Sequence, residues 1–294
     1  MGVSLRSSIY FNRRLHASTL FLQLPSSNPS SNSATQIYVI LFVSAPHPRS
    51  PTPSEKKYLT IEKDGSTSDA LPLDCWYDTW KTERENSRGP TSTKPNTLEP
   101  AEVFMSVVVP AYNEEERLPG MLEEAVDFLE REYGSQPINK RSNGSSEVHQ
   151  RRTNNSISEP TGWEIIIVSD GSKDRTVSTA LEWARNHVLS SNPKPVPGPR
   201  TPHPDHSTHI PPCSIRVVEL EKNRGKGGAV THGLRHVRGK YAIFADADGA
   251  TKFEDLAKMV QKAQDMEKRD REGRAVVVGS RAHLVGSEAV VKVS

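Results

Sequence analysis

From Val103 onward, short apolar runs alternate with longer stretches in which apolar residues recur every three or four positions. Phe104–Val109 is a β-branched run that ends at Pro110, the pattern of a buried strand. Between Glu114 and Tyr133, the residues Leu118, Met121, Leu122, Ala125, Phe128 and Leu129 mark one face of a helix. The same two patterns recur downstream. Strands are predicted over Glu164–Val168, Ile215–Leu220, Tyr241–Ala245 and Ala275–Gly279. Helices are predicted over Asp174–Val188, Ala229–Val237 and Phe253–Glu267. Such alternation predicts an α/β domain, a mostly parallel sheet with flanking helices. Sheets of this kind bind ligands beyond the carboxyl ends of their strands.

Two insertions interrupt the rhythm. Residues 134–162 are rich in Asn, Ser and charge, and Ser190–Pro212 holds eight prolines. With so little apolar surface to bury, both are expected to be mobile surface loops. Asn143 and Asn154 begin glycosylation-type tripeptides, a match that chance readily supplies in such a stretch. The folded domain is expected over 101–294. Residues 55–100, with Trp76, Tyr77 and Trp80, are expected to form a linker and pre-domain segment.

Residues 1–54 are expected to be largely disordered, a targeting segment or a degenerate membrane anchor. No Asp or Glu precedes Glu55, whereas Arg6, Arg13, Arg14 and Arg49 do, a composition resembling a transit peptide. The apolar runs Leu20–Leu24 and Ile37–Val43 fall short of the roughly 20 residues that a spanning helix needs.

Composition sharpens this division. Only 34% of the 294 residues are hydrophobic and 22 are proline, so part of the chain is expected to lie outside any packed core. Lys and Arg number 38 against 36 acidic residues, a net charge of +2 that gives no hint of a nucleic-acid partner. Cys75 and Cys213 lie far apart in unlike segments and are expected to be unpaired thiols; two cysteines alone make no zinc pattern.

Four segments that follow predicted strands carry candidate chemistry. Pro110-Ala-Tyr-Asn-Glu-Glu-Glu places Tyr112 where it could stack on a flat base; Asn113 equally suits a helix cap. Ser169-Asp-Gly-Ser-Lys-Asp offers Asp170 as an acceptor for a base or ribose, or a plain turn with Ser172 as cap. Lys222-Asn-Arg-Gly-Lys-Gly-Gly-Ala combines three glycines with Lys222, Arg224 and Lys226 before a helix, which suits a diphosphate or a basic surface turn. Leu220 and Val230 exclude the Walker and dinucleotide fingerprints, because each stands where a glycine is required.

The fourth segment is Asp246-Ala-Asp-Gly-Ala-Thr, directly after the strand Tyr241–Ala245. Carboxylates two apart on extended backbone share a face and repel unless a cation lies between them. Hard oxygen ligands of this kind suit Mg²⁺ or Mn²⁺ shared with substrate phosphates. Together the four segments describe a pocket for a nucleotide diphosphate.

In order along the chain, VVVPAYNEEERL, SDGSKDRT, ELEKNRGKGGAVTHGL and FADADGAT resemble glycosyltransferase family two. Asp-Ala-Asp-Gly-Ala-Thr is similar to the branch that glucosylates dolichyl phosphate; the mannosyl branch tends to carry Asp-Ala-Asp-Leu-Gln. The resemblance implies a GT-A fold, UDP-glucose as donor, dolichyl phosphate as acceptor, Mg²⁺ or Mn²⁺ as cofactor and inversion at the anomeric carbon. It also implies a membrane lipid partner and an endoplasmic reticulum location facing the cytosol, in protein N-glycosylation.

By the same resemblance, Pro110, Tyr112, Asn113, Glu114 and Asp170 line the nucleoside site, and Lys222, Gly225 and Lys226 lie along the nucleotide loop. Asp246 and Asp248 hold the metal and sugar diphosphate, and Arg281 meets the acceptor phosphate. Three departures stand out. Ser169 occupies a position where the family usually has Asp; the N-terminal membrane helix is not evident; and the chain stops at Ser294, so the acceptor-side helices are expected to be missing. Another family-two transferase with a different sugar, or a UDP-sugar-binding remnant without transfer, would show the same motifs.

Overall fold

The computed structural model describes residues 2–3, 49–86, 100–134, 160–202, 204–205, 207–270 and 273–279. The described residues of 1–8 and 52–294 fall in one compact unit, which contains the sheet and its helices.

In chain order its elements are β1 (Gly2–Val3), β2 (Lys57–Tyr58), β3 (Leu71–Pro72), α1 (Trp76–Asn86), β4 (Val103–Ala111) and α2 (Leu118–Tyr133). They continue as β5 (Trp163–Ser169), α3 (Thr176–Leu189), β6 (Ile215–Glu219), α4 (Gly225–Leu234), β7 (Gly239–Phe244), α5 (Glu254–Glu267) and β8 (Val276–Val277). The main sheet runs β6-β5-β4-β7-β1-β8. Its four long strands are parallel, with Val107 opposite both Ile165 and Ile243, and Ile165 opposite Ile215. Gly2–Val3 pairs antiparallel with both β7 and β8.

Both faces of this sheet are covered, which is why β4 and β5 read as largely apolar runs, broken by the buried Ser106 and Glu164. Side chains alternate between the faces. Val107 and Val109 enter the larger core with α2, α3 and α5, whereas Val108, Ile166 and Val168 pack with α4 on the other side. Gly233 lets α4 approach closely: a Cβ there would lie 2.4 Å from Val108 Cγ1.

Two regions differ from expectation. The first is the segment expected to be a linker. The domain boundary was expected at 101, yet residues 52–86 belong to the same compact unit. Leu59 N–H donates to Val217 O at 2.9 Å and Val217 N–H to Leu59 O at 2.8 Å, so this segment closes the outer edge of β6. Thr60 and Ile61 are buried. Single bridges and two-residue strands leave no periodic signature, which is why the pattern did not reveal them.

The second is the proline-rich insertion. Ile210 is 1% exposed and Ser207 is buried, where a mobile surface loop was expected. Proline lowers the entropy lost on ordering, and polar anchors hold the segment. Ser207 donates to Glu123, His187 Nε2 lies 3.0 Å from Ser207 Oγ, and Ile210 N–H donates to His187 O at 3.1 Å.

Cys75 and Cys213 are free thiols, as expected. Among the described residues no helix is long and apolar enough to cross a membrane. Most of the 134–162 insertion, with Asn143 and Asn154, lies outside the described residues, as does most of 1–54.

Candidate functional site

The chain leaves β4 for β5 and β6 on one side and returns to β7 on the other. The crevice beyond the carboxyl ends of β4 and β7 is therefore the topological switch point of the sheet. Tyr112, Asn113 and Glu114 enter it from β4, and Asp246 and Asp248 from β7. Ala245 and Ala247 are buried, so the intervening Asp246 and the following Asp248 turn outward. Lys226 Nζ lies 2.6 Å from Asp246 Oδ1. Asp248 is exposed and its Oδ1 accepts the Ala250 N–H at 2.9 Å. Gly249, at φ 72°, makes that turn possible.

Glu114 lies within electrostatic reach of Asp248. Burial raises its carboxyl pKa, the Arg117 guanidinium opposes the shift, and the charge of Asp248 adds to it. These residues fit a hard divalent cation. The ammonium of Lys226 already sits on Asp246, so the position draws positive charge. Among the described residues no three His, Cys, Asp or Glu side chains form a complete cage. Two carboxylates such as Asp246 and Asp248 would hold a Mg²⁺-type ion only with substrate phosphates filling the other positions.

The glycine-rich loop differs in detail from its sequence pattern. Helix α4 begins at Gly225, four residues before the predicted Ala229, so Gly225, Lys226, Gly227 and Gly228 form its first turn. First-turn N–H groups have no acceptor within the helix and carry partial positive charge. A Cβ at Gly225 or Gly227 would meet nothing within 4 Å, so this turn faces open space. Lys222 and Lys226 are exposed beside it. Arg224 is directed elsewhere: its guanidinium pairs with Glu55, which is fully buried. The positive charge offered to a ligand thus comes from Lys222 and Lys226, without the Arg224 contribution expected from the motif.

Asp170 also takes a different part. It is 3% exposed, and its Oδ1 accepts the Arg224 backbone N–H at 2.7 Å. Burial raises its pKa, and backbone hydrogen bonds from Arg224 and Gly225 hold it down. The carboxylate expected to meet a base or ribose is thus also engaged by the glycine-rich loop. Gly171 (φ 70°) makes the approach possible, since a Cβ there would lie 2.9 Å from Asn223 N. Ser169, where the family usually has Asp, is fully buried and bonds Ser172 Oγ at 3.0 Å.

The loops after β4 and β5 are laced together. Asn113, at φ 55°, does not cap α2, which starts at Leu118. Its Oδ1 accepts the Lys173 N–H at 2.8 Å, and its own N–H donates to Ser172 Oγ at 3.2 Å. Glu114 N–H donates to Thr176 Oγ1 at 2.8 Å. Ser172 is thereby drawn to Asn113, and Asp174 serves the first turn of α3 by accepting the Thr176 N–H at 3.0 Å. Pro110 is half-buried within β4, and Tyr112 is 45% exposed at the crevice. Arg281 lies outside the described residues. Glu55 and Thr176 were not singled out by the sequence. Glu55 stands in a segment without periodicity, and Thr176 is the final residue of SDGSKDRT.

Comparison with known proteins adds an independent line. Residues 205–283 match the model of glycosyl transferase family 2. The chain is 32% identical over 87% of its length to a dolichyl-phosphate beta-glucosyltransferase of Saccharomyces cerevisiae, covering 58% of that protein. It is 36% identical over 66% of its length to the protein of that name from Drosophila melanogaster, covering 45% of it. The chain thus spans about half the length of these relatives. Among solved structures, a mannosyltransferase from Pyrobaculum calidifontis in complex with GDP-Man and Mn²⁺ aligns over 63% of this chain and 39% of its own, at 19% identity and a TM-score of 0.30.

Proposed function

We propose that the chain is a member of glycosyl transferase family 2 and transfers glucose from UDP-glucose to dolichyl phosphate, giving dolichyl β-D-glucosyl phosphate and UDP. The observation that carries this proposal is the Lys226–Asp246 pair at the switch point, two residues before Asp248 and beside an open glycine-lined helix start. Similarity to two dolichyl-phosphate beta-glucosyltransferases supports the choice of donor sugar and acceptor.

In the proposed reaction Tyr112 stacks on uracil, and Pro110, Asn113 and Glu114 shape the nucleoside end of the crevice. Lys222, Lys226 and the N–H groups of Lys226, Gly227 and Gly228 in the α4 first turn hold the diphosphate. Asp246 and Asp248 would hold Mg²⁺ or Mn²⁺, and a divalent ion there neutralises charge on the departing diphosphate. An oxygen of dolichyl phosphate attacks the anomeric carbon opposite UDP; that C–O bond forms as the bond to UDP breaks, which inverts the configuration. The acceptor is already an anion, so no strong general base is required. Positioning and fixed charge supply the acceleration. Arg281 is proposed to meet the acceptor phosphate.

A lipid acceptor puts the reaction at a bilayer, and we place it at the endoplasmic reticulum membrane with the site facing the cytosol, serving protein N-glycosylation. Imaging the tagged full chain against organelle markers tests this, and a mitochondrial or plastid signal would contradict it. Donor identity is tested by equilibrium binding of UDP-glucose, UDP-galactose and GDP-mannose with Mn²⁺ and with a chelator. UDP-glucose is expected to bind tightest and only with metal. A preference for GDP-mannose would make the chain another family-two transferase.

A further inference from the structure

The proline-rich insertion reaches the turn that carries Asp248. Arg200 Nη1 donates to Gly249 O at 2.6 Å and to Thr251 O at 3.0 Å, and Nη2 donates to Ala250 O at 2.9 Å. One guanidinium thus bridges three successive carbonyls. Within the same turn, the Ala250 N–H donates to Asp248 Oδ1 at 2.9 Å. The turn is fixed by both sets of contacts, and Asp248 is a candidate metal ligand.

Arg200 is itself held in place. Glu124, on α2, accepts the Arg200 N–H at 2.6 Å and the Thr201 N–H at 3.0 Å through Oε1, and Arg200 Nη1 lies 3.3 Å from its Oε2. Close packing leaves the insertion little slack. A Cβ on Gly249 would lie 2.3 Å from Pro199 Cγ, one on Gly198 would lie 2.6 Å from Glu124 Oε1, and one on Gly120 would lie 2.6 Å from Pro197 O. A planar five-donor fork suits this task, whereas a lysine ammonium is a point charge and cannot span three carbonyls in the same way.

We infer that Arg200 is a positioning residue for the proposed transfer: the insertion acts as a clasp that sets the Asp248 turn in the geometry needed for the divalent ion and the sugar diphosphate. The inference rests on the donor-site proposal above. Groups that orient a ligand from behind typically change metal affinity or activity by about 10- to 100-fold when removed.

The test uses the full chain with Arg200→Ala and Arg200→Lys. Hydrogen exchange of the amides of residues 249–252 is followed without ligand, and Mn²⁺ binding in the presence of UDP is then titrated by its magnetic resonance signal. Arg200→Ala is expected to speed exchange of that turn at least about tenfold and to weaken Mn²⁺ binding by about 10- to 100-fold, with Arg200→Lys in between. Steady-state transfer should show loss of kcat that rising metal concentration partly restores, with the KM for UDP-glucose little changed at saturating metal. Arg200→Lys keeps a charge near Glu124, so it reports on the clasp even where Arg200→Ala folds poorly. Unchanged exchange at 249–252 in both variants overturns the clasp. Failure of the unsubstituted chain to bind Mn²⁺ with UDP overturns the donor site instead, and the exchange result then decides the clasp separately.

Discussion

Asp170 Oδ1 accepts the backbone N–H of Arg224 at 2.7 Å, tying the turn after β5 to the glycine-rich loop after β6. The loop is therefore shaped from below before any ligand arrives. Asp170→Ala leaves a part-buried N–H without its acceptor, a loss of about 1 kcal/mol or more. The expected outcome is weaker UDP binding by roughly tenfold or more, read by calorimetry, with Asp170→Asn retaining most of the affinity because its amide oxygen still accepts. Equal weakening by both variants would point instead to direct recognition by the charge.

Gly171 makes that contact sterically possible. Its φ of 70° and the 2.9 Å gap from a Cβ to Asn223 N leave no room for alanine. Gly171→Ala is expected to destabilise the domain by about 1–3 kcal/mol, seen as a lower midpoint in denaturant. It should also weaken UDP binding, because the loop has to move away. A variant with unchanged midpoint and affinity would show that the two turns separate freely.

Acid should destabilise this fold through buried histidines. His236 is 3% exposed, its Nδ1–H donates to Asp74 O at 2.8 Å, and burial lowers its pKa from 6.5 to about 4. Burial lowers that of His232 as well. The unfolded chain then binds more protons between pH 6.5 and about 4, so stability is complete above that window and falls as pH drops through it. From the His236 shift alone, stability should drop by about 2 kcal/mol between pH 6.5 and pH 5. Urea unfolding at the two pH values measures it, and His236→Gln should flatten the dependence.

Glu164 provides the opposite case, a buried charge that stays ionised. Burial raises its pKa, but Arg216 at 2.6 Å and Arg238 at 2.8 Å, with Ser106 donating, outweigh that effect and leave it lowered. Its stabilisation is present above the unfolded carboxylate pKa and is lost as pH falls through the lower folded value. Glu164→Gln leaves the buried Arg216 without its carboxylate, while Arg238 keeps Glu102 at 3.2 Å, and should cost about 3–5 kcal/mol, measured by chemical denaturation at neutral pH. A loss below about 1 kcal/mol would show that solvent already screens the pair.

The strands and helices of this sheet were legible because each depends on local pattern. Val107, Val108 and Val109 mark a strand buried on both faces, and Leu118, Met121 and Leu122 mark a helix face. The four candidate segments were legible because each follows such a strand. Features made by distant contacts were not. The four-residue error at the start of α4 arose because Gly225, Gly227 and Gly228 are poor helix formers, yet packing of Ala229 and Gly233 carries the helix back to them. Nothing in the local sequence tells that Asp170 turns inward, that Glu55 takes up Arg224, or that Arg200 reaches carbonyls some 50 residues away. Those roles follow from the topology, which brings the ends of β4, β5, β6 and β7 to one edge.

The central claim is most directly tested by transfer of labelled glucose from UDP-glucose to dolichyl phosphate in membranes that contain this full chain, with Mg²⁺, with a chelator, and with Asp248→Asn. A glucolipid formed with Mg²⁺, and reduced by about 100-fold or more with chelator or with Asp248→Asn, is the predicted result. Glucolipid formation that persists in the chelator and in Asp248→Asn would contradict the assignment of Asp248 to the metal. No glucolipid under any condition would contradict the transferase proposal itself.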